Sequence, residues 1–352
     1  MATLIIPCGG KSSRFPNMKP KWLLTHPDGQ LMIQKSLEGI DVSKFDRFIV
    51  TIILEHDEKY FASTILKQAL KEFNNLEICV LDNFTSSASE TVYQTLKKMN
   101  VVGGFVVKDS DNKVNYNLPD DLGNYIVSFN VTKHPNVGNL PGKSFLVVNN
   151  NGIILDIAEK KIISDNVCLG VYSFQSARLF KSAYESVMPL FEGRELFISR
   201  IVSYLINEGK YTFTAIEANH FEDWGTIKEW KDVQESHSTF FVDVDGVLLK
   251  NVGKYGIKNW DNSNIPIYEN LEKLKKLYDN GAQIVITTAR PEKYRDCLEK
   301  MLSGFGIKPV AIVMGLNHAP RVIINDFAPT NPYPSCRAIS IPRNSLINDY
   351  IS

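Results

Sequence analysis

The chain has 352 residues, more than a single hydrophobic core usually supports, so two domains are expected. Its 39 basic and 39 acidic residues cancel, so no global charge attracts the chain to nucleic acid or to an anionic membrane. The five cysteines are scattered without a C-x-x-C pair, which argues against a disulfide framework and against a zinc site.

No apolar stretch approaches the roughly 18 residues of a membrane span, and the apolar run at the start is too short for a signal peptide. We therefore expect a soluble, cytoplasmic protein without nucleic-acid or membrane partners. Homo-oligomerisation is left open.

Apolar runs alternate with helix-like segments in the first third of the chain. Runs rich in Val and Ile predict strands at residues 4–6, 48–54, 78–81 and 105–107. Helices are predicted between them, at residues 31–40, 60–73 and 89–99. This alternation favours βαβ units and a mainly parallel sheet. From residue 113 to 221 the predicted strands are shorter and more irregular, which indicates a mixed sheet.

A polar stretch at residues 231–238 interrupts this pattern, and a new apolar strand begins at Thr239. The segments that follow predict helices at 268–280 and 292–305 and strands at 283–287, 310–313 and 321–324. The domain boundary is therefore predicted near residue 236, with domains at residues 1–235 and 238–352.

The first predicted strand runs into PCGGKSSRFPNMKPKWLL at residues 7–24. Glycines directly after a strand let backbone N–H groups approach a polyphosphate, and nearby cations neutralise it. Gly9 and Gly10 supply the close approach. The charge comes from Lys11, Arg14, Lys19 and Lys21. The loop spells neither G-K-[ST] nor G-x-G-x-x-G, which disfavours a P-loop ATPase and a Rossmann dinucleotide site.

Two carboxylates, Asp109 and Asp111, follow the strand at residues 105–107. Open α/β sheets bind their ligands at the carboxyl ends of strands, and Mg²⁺ prefers carboxylate and phosphate oxygens. A further acidic segment, HFEDWGT, lies at residues 220–226. These acids predict a magnesium site beside the glycine loop.

Five segments in this order resemble the motifs of sugar nucleotidyltransferases, the pyrophosphorylase group of the GT-A-like fold. They are GGKSSRF at residues 9–15, KPKWLL at 19–24, SSASET at 86–91, Glu159-Lys160 ahead of GVYSF at 170–174, and FEDWGT at 221–226. The resemblance covers most of the first predicted domain. The loop departs from the family pattern at Pro7-Cys8, which leaves the contacts to the nucleobase open.

The resemblance implies transfer of a nucleotidyl group from a nucleoside triphosphate to a phosphorylated sugar or polyol, with release of pyrophosphate. Arg14 and Lys21 would be the catalytic cations. Mg²⁺ would be held by Asp109 and Asp223, with Asp111 as an extra ligand. Nucleotide contacts would come from Gly9, Gly10, Lys11, Ser12, Ser13, Ser87 and Glu90. Glu159 and Lys160 would contact the sugar and its phosphate.

Two other functions remain open for this domain. A glycosyltransferase of the related fold would use Asp109-Ser110-Asp111 as its D-x-D motif, although it would not need the cations that grip a triphosphate. A nucleotide-sensing protein with an inert second domain is the non-enzymatic alternative. CTP is the first expectation for the nucleotide, since the variant glycine loop and the second domain point away from the commonest hexose enzymes.

Asp243 and Asp245 stand one residue apart at the end of the strand that begins at Thr239. Side chains at i and i+2 of a strand face the same way, so both carboxylates can meet one phosphate and one Mg²⁺. Such a pair suits covalent phosphoryl transfer, in which one carboxylate attacks phosphorus and the other, protonated, serves the leaving group.

The segments DVDGV at residues 243–247, ITTARP at 286–291 and VIIND at 322–326 resemble motifs of haloacid dehalogenase-like phosphatases. The resemblance implies Asp243 as nucleophile, Asp245 as acid/base and Thr288, rather than Thr287, as the phosphoryl-binding residue. Asp243, Asp245 and Asp326 would bind Mg²⁺. Lys308 and Arg321 both qualify as the charge-offsetting cation, with a preference for Lys308. A single acid stands in the last motif where many members carry two.

The predicted fold class is therefore α/β. A GT-A-like, Rossmann-like mixed-sheet nucleotidyltransferase domain precedes a small haloacid dehalogenase-like Rossmannoid domain. A large cap is not expected, because the insert at residues 250–265 is at most a flap. The whole chain is interpreted as a bifunctional enzyme that makes activated precursors of a surface polysaccharide.

Overall fold

The computed structural model describes residues 2–133, 140–251, 260, 264–326 and 335–351. The chain divides into two compact units, Met1–Trp230 and Lys231–Ser352, called unit 1 and unit 2. The division falls within a helix, Ile227–Ser236, whose last residue is the predicted boundary. The predicted flap at residues 250–265 lies largely outside the described residues.

The described strands of unit 1 form a nine-stranded mixed sheet and a separate two-stranded sheet. They are β1 Ala2–Pro7, β2 Arg47–Ile53, β3 Leu76–Leu81, β4 Gly104–Lys108, β5 Asn112–Asn115, β6 Tyr125–Asn130, β7 Ser144–Val148, β8 Ile154–Glu159, β9 Asn166–Phe174, β10 Thr214–Glu217 and β11 His220–Asp223. The large sheet has the order β10-β6-β9-β4-β1-β2-β3, with β7 on β9 and β8 on β7. Strands β1 to β4 are parallel, and β9 is antiparallel to β4, β6 and β7. β5 pairs with β11.

Helices connect the parallel strands, as the alternating pattern predicted. The helices are α1 Met32–Leu37, α2 Leu54–Tyr60, α3 Ala62–Ala69, α4 Ala88–Lys98, α5 Ala177–Val187, α6 Ile198–Asn207 and α7 Ile227–Ser236. Single 3-10 turns lie at Lys21–Leu23, Val42–Lys44, Leu140–Gly142 and Met188–Phe191. The helix predicted at residues 60–73 is wrong in its bounds, because Phe61 adopts a positive φ of 53° and separates α2 from α3. Across the described ranges, no helix is long and apolar enough to cross a membrane.

The central strand β1 is buried on both faces, which explains why it reads as a continuous apolar run rather than an alternating one. Leu4 and Ile6 pack into one apolar cluster and Ile5 into another, and all three side chains are fully buried. The core therefore lies in two layers, one on each face of the large sheet. Strand β1 and its neighbours are held rigidly where their carboxyl ends meet the site described below.

Unit 2 contains a three-stranded parallel sheet in the order β12-β13-β14 among its described residues. The strands are β12 Thr239–Asp243, β13 Gln283–Thr287 and β14 Ala311–Val313, and the helices are α8 Tyr268–Asp279 and α9 Arg295–Gly304. Short 3-10 turns lie at Glu292–Tyr294 and Ile347–Asp349. The strand predicted at residues 321–324 is wrong, because this segment has no regular structure and Val322 and Ile324 are exposed.

The carboxyl-terminal segment of unit 2 is tied to α8 by one buried side chain. The Asn270 amide donates to the carbonyl oxygens of Val247, at 2.7 Å, and Ser345, at 3.0 Å. Its oxygen accepts from the Ile347 N–H at 2.8 Å, and the residue is 1% exposed. Three backbone groups of two distant segments thus depend on Asn270 for their hydrogen bonds.

Replacing Asn270 with Ala removes the partner of these three backbone groups, of which the Ile347 N–H is buried, so the N270A variant is expected to lose roughly 2–4 kcal/mol of unfolding free energy in unit 2. Urea unfolding and hydrogen exchange of peptides from residues 345–351 measure the effect. The exposed Glu272 on the same helix supplies the control, as Glu272→Ala. Unchanged protection of residues 345–351 in N270A would contradict the prediction.

Candidate active site

The glycine loop and the first two acids leave the sheet at the same edge. Strands β1 and β4 are adjacent and parallel, with Ile5 opposite Val107. β1 ends at Pro7 and β4 at Lys108, so Gly9 and Asp109 follow neighbouring strand ends. The crevice at the carboxyl ends of parallel strands is where open α/β sheets bind ligands.

Only the first of the two glycines is required by packing. A Cβ atom on Gly9 would lie 2.7 Å from the Thr91 hydroxyl and 2.9 Å from the Thr85 hydroxyl, whereas one on Gly10 would meet nothing within 4 Å. The loop backbone therefore passes tightly over the start of α4 at Gly9 and is open at Gly10. An open glycine N–H and exposed side chains at Lys11, Ser13 and Arg14 suit the approach of an anion.

Ser87 and Glu90, two predicted nucleotide contacts, cap helix α4. The Ser87 hydroxyl accepts from the Glu90 N–H at 3.2 Å, and the Glu90 carboxylate accepts from the Ser86 N–H at 2.7 Å. The Ser87 contact is that of an N-cap residue, while Glu90 reaches the N–H one residue before the cap. The pattern at this helix start therefore has a structural explanation, and the neighbouring Ala88 lines the cleft.

The separate two-stranded sheet brings the third acid to the first two. Strand β11 pairs with β5 so that Asp223 stands opposite Asn112, and the Trp224 N–H donates to the Asp111 carbonyl at 2.8 Å. A Cβ on Gly225 would lie 3.2 Å from carboxylate oxygens of both Asp111 and Asp223. These two carboxylates therefore converge on Gly225.

Asp109, the remaining acid of this group, lies beside Gly170. Its N–H donates to the Gly170 carbonyl at 2.9 Å, and a Cβ on Gly170 would lie 2.2 Å from its carboxylate oxygen. Gly170 also has a positive φ of 72°, so both backbone shape and space require glycine. The three carboxylates line one cleft.

Lysines neutralise two of the acids directly. The Lys21 ammonium lies 2.5 Å from an Asp111 oxygen, and Lys143 forms an ion pair with Asp223. A third cation, Lys108, is fully buried and donates to the Asp109 carbonyl at 2.5 Å and to the Asn112 side chain at 2.5 Å. Lys108 therefore fixes the turn that carries the acids.

Burial and neighbouring charges shift the pKa values in opposite directions. Burial, reinforced by the Asp111 charge, raises the pKa of Asp109 to about 6. Burial opposes ionisation of Asp111 too, but the Lys21 ammonium outweighs it, so the pKa of Asp111 lies below its ordinary value. Burial lowers the pKa of Lys108 to about 8. Asp111 is thus the firmly ionised member of the pair.

Magnesium is the expected cofactor, and the donor chemistry of the cleft fits it. Within the described ranges, no group of three or more His, Cys, Asp or Glu side chains is already arranged to hold a metal ion. Asp109, Asp111 and Asp223 nevertheless offer hard carboxylate oxygens in one cleft, and two of them converge on Gly225. In the structure these two carboxylates are paired with lysines, Asp111 with Lys21 and Asp223 with Lys143.

One of the two predicted sugar-contacting residues, Glu159, lines the same cleft. Glu159 accepts a hydrogen bond from the Ser144 hydroxyl and another, at 2.5 Å, from the Ser199 hydroxyl. Lys160 is exposed and its ammonium lies 4.3 Å from the centre of the Phe197 ring. Glu159 and Arg14 both line the cleft with the three aspartates.

Sequence reasoning missed Lys143 and Glu229, which also line the cleft. Lys143 follows Gly142 directly before a strand, and no motif marks it. Glu229 accepts from the Thr226 N–H at 2.8 Å, and burial, with the Asp223 charge, raises its pKa. The T-x-x-E spacing of a helix start was the available signal for Glu229.

In unit 2, Asp243 stands at the carboxyl end of β12, opposite Thr287 on β13. The Arg321 guanidinium lies 3.7 Å from its carboxylate, and burial raises the pKa of Asp243. The Thr288 side chain is fully buried, and its hydroxyl accepts from the Arg290 N–H at 3.1 Å. Thr288 therefore shapes the turn after β13.

The geometry at Asp245 departs from its predicted role as a proton donor and metal ligand. The buried Arg290 donates to one Asp245 oxygen at 2.7 Å and to the other at 3.0 Å. Both oxygens of Asp245 are thus engaged by Arg290. The same guanidinium donates to Asn264 at 2.9 Å, so Arg290 joins the turns after β12 and β13.

Two further expectations for unit 2 need correction. Lys308 is exposed and precedes β14, so it lies at the amino ends of the parallel strands, whereas Asp243 lies at a carboxyl end. Arg321, not Lys308, is therefore the cation beside Asp243. Asp326 lies in an exposed irregular segment, where its carbonyl accepts from the Ser335 hydroxyl, because the strand expected to carry it does not form.

Solved structures resemble about two-thirds of the chain, a share that corresponds to the length of unit 1. A nucleoside-diphosphate-sugar pyrophosphorylase from Vibrio cholerae is 23% identical, with 66% of this chain and 99% of that chain covered and a TM-score of 0.56. The inositol-1-phosphate CTP transferase from T. maritima is 9% identical, with 66% and 95% covered and a TM-score of 0.50. A UDP-glucose pyrophosphorylase complexed with UDP-glucose is 13% identical, with 67% and 98% covered and a TM-score of 0.52.

No family model matches the sequence. No curated protein matches it either. The structural likeness therefore concerns the fold: about two-thirds of this chain has the mixed α/β fold of nucleotidyltransferases of the pyrophosphorylase type.

Proposed function

We propose that unit 1 is a nucleotidyltransferase that joins a nucleoside monophosphate group to a phosphorylated sugar or polyol. The observation that carries this proposal is the cleft itself, in which Asp109, Asp111 and Asp223 meet Lys21 and Lys143 beside the glycine loop. Oxygen ligands for a divalent cation, with ammonium groups next to them, suit a triphosphate and a second phosphate at once.

In the proposed reaction, an oxygen of the acceptor phosphate attacks the α-phosphorus of the nucleoside triphosphate. The bond from that phosphorus to the bridging β-oxygen breaks, and pyrophosphate leaves with the bonding electrons. The nucleophile is already an anion, so no general base is required. The protein accelerates the step by positioning the two phosphates and neutralising their charge.

Each residue of the cleft has a role in this scheme. Arg14, exposed at the cleft rim, holds the leaving pyrophosphate, and Lys21 binds the reacting phosphates. Asp109 and Asp223 would hold Mg²⁺, with Asp111 next to them. When bound, the ion supplies positive charge to the phosphoryl oxygens. Glu159, which lines the cleft, and the adjacent Lys160 bind the acceptor.

A glycosyltransferase that uses Asp109-Ser110-Asp111 as its D-x-D motif is the alternative within this fold. The Lys21–Asp111 pair and the exposed Arg14 favour a triphosphate over a sugar nucleotide, because they add cations that a diphosphate does not need. Pyrophosphate release separates the two activities. A purely nucleotide-sensing protein would release none.

A phosphatase is proposed for unit 2 on the strength of one observation. Asp243 stands at a strand end with the Arg321 guanidinium 3.7 Å away, which suits attack of this carboxylate on a phosphate ester. Attack would form an aspartyl phosphate on Asp243 as the ester P–O bond breaks, the leaving oxygen would take a proton from water, and a second water would then release phosphate. Asp245, held by Arg290, positions the site. The two activities would serve one route to a surface-polysaccharide precursor.

Exchange of single carboxylates tests both proposals. Asp109→Asn is expected to lower pyrophosphate release by at least about 100-fold, since it removes charge from the metal-binding cleft. Asp243→Asn is expected to abolish hydrolysis of a generic phosphate ester and to leave pyrophosphate release intact. Each variant is the other's control. Loss of both activities in either folded variant would contradict two independent sites.

The nucleotide is identified by following pyrophosphate with four nucleoside triphosphates and a panel of phosphorylated sugars and polyols. CTP is proposed to give the highest rate. The T. maritima neighbour is described as a CTP transferase for inositol 1-phosphate, and this supports testing CTP with polyol phosphates first. A clear preference for another triphosphate would overturn the choice of base and would leave the reaction class standing.

Gly170→Ala tests how closely the site is built around Asp109. The new methyl group would occupy the position now 2.2 Å from the Asp109 carboxylate and must displace it. A displacement of this order is expected to slow pyrophosphate release about 100-fold while circular dichroism stays unchanged. Gly123→Ala is the matched control, because a Cβ there meets nothing within 4 Å. Full activity of G170A would show that Asp109 need not stay in place.

A further inference from the structure

Lys143 is paired with Asp223, one of the carboxylates proposed to hold the divalent cation. Its ammonium pairs with Asp223 in the interior of the cleft, where the two side chains are each 14% exposed. The same ammonium lies 4.9 Å from the centre of the Phe221 ring, on the strand that carries Asp223. The other Asp223 oxygen accepts from the Gly225 N–H at 3.1 Å. A nearby ammonium repels Mg²⁺, so Lys143 and a divalent ion compete for Asp223.

The surroundings of Lys143 connect this ion pair to Glu159 and Lys160, the residues proposed to bind the acceptor. The Lys143 carbonyl accepts from the Lys160 N–H at 3.1 Å. The next residue, Ser144, donates its hydroxyl to Glu159. Lys143 therefore stands between Asp223 and the pair Glu159-Lys160, whereas Lys21 stands at Asp111 beside the glycine loop.

We propose that Lys143 is a switching cation, which neutralises Asp223 in the empty cleft and binds the phosphate group of the acceptor once Asp223 turns to a divalent ion. The ligand class is a phosphate monoester dianion. This inference rests on the proposed function of unit 1 and names a specificity residue for it. The flexible four-carbon stem of lysine allows such an exchange of partners.

Two opposite effects follow from one ammonium group. In the empty protein Lys143 competes with the metal, so it weakens metal binding. In the loaded protein it binds the acceptor phosphate, so it strengthens acceptor binding. Phosphate that draws Lys143 away from Asp223 must therefore raise metal affinity, and the metal must raise phosphate affinity by the same factor.

Lys143→Met removes the charge and keeps the length of the side chain. Mn²⁺, a paramagnetic stand-in for Mg²⁺, is titrated into the nucleotide-free full chain and the free ion is followed by electron paramagnetic resonance. K143M is expected to bind Mn²⁺ about tenfold more tightly than the unmodified chain. Inorganic phosphate is expected to tighten Mn²⁺ binding to the unmodified chain and to leave K143M unaffected.

The same variant is expected to raise KM for the phosphorylated acceptor at least about tenfold, with a smaller change in KM for the nucleotide. Lys113→Met is the matched control. Lys113 lies on β5 and pairs with Glu38, so its loss removes one positive charge from the two-stranded sheet that carries Asp223 without touching the Lys143–Asp223 pair. K113M should match the unmodified chain in both measurements.

Lys143→Arg retains the charge and should keep weak Mn²⁺ binding, which guards against a merely structural effect of K143M. Equal or weaker Mn²⁺ affinity in folded K143M would overturn the proposal. Mn²⁺ binding requires no turnover, so this outcome is distinct from failure of the proposed function. That failure would appear as no pyrophosphate from the unmodified chain with any triphosphate and acceptor.

Discussion

Charge balance around three crowded carboxylates is the constraint on which the rest of unit 1 depends. Uncompensated acids in a cleft of this burial would cost several kcal/mol each. Lys21 offsets the charge of Asp111, and Lys143 offsets that of Asp223. The buried Lys108 holds the backbone turn that carries Asp109 and Asp111. The fold must therefore bring cations and acids together from four separate parts of the chain.

Strand pairing brings several of these groups together. The parallel pair β1 and β4 brings the glycine loop to Asp109, and the antiparallel pair β5 and β11 brings Asp223 to Asn112. Two glycines then remove the side chains that would separate the acids, Gly170 at Asp109 and Gly225 between Asp111 and Asp223. The positions of Asp109 and Asp223 thus follow from the pairing of the strands that lead to or carry them.

Sequence reasoning found the residues whose signal is local. An apolar run followed by glycine or aspartate marks a strand end, so Gly9, Asp109 and Asp243 could be assigned to the right edges of their sheets. Lys143 could not be found in this way, because its ion-pair partner, Asp223, lies 80 positions away along the chain. Residues 321–324 have the apolar composition of a strand, but composition alone does not show whether a neighbouring strand offers an edge with which this segment can pair. Asp326 therefore lies in an irregular segment instead of at a strand end. Of the two candidate cations Lys308 and Arg321, it is Arg321 that lies beside Asp243.

The two units neutralise their carboxylates with different cations, and the difference bears on how each can work. Unit 1 uses lysines, whose compact ammonium on a flexible stem can leave one anion for another. In unit 2 the buried Arg290 grips both oxygens of Asp245 and also holds Asn264, and such a planar fork cannot be exchanged without exposing several donors. The lysine pairs of unit 1 therefore suit a site that is emptied and refilled with phosphates at every turnover. The arginine clamp of unit 2 suits a fixed frame, in which Asp243, beside Arg321, is the more exposed of the two carboxylates.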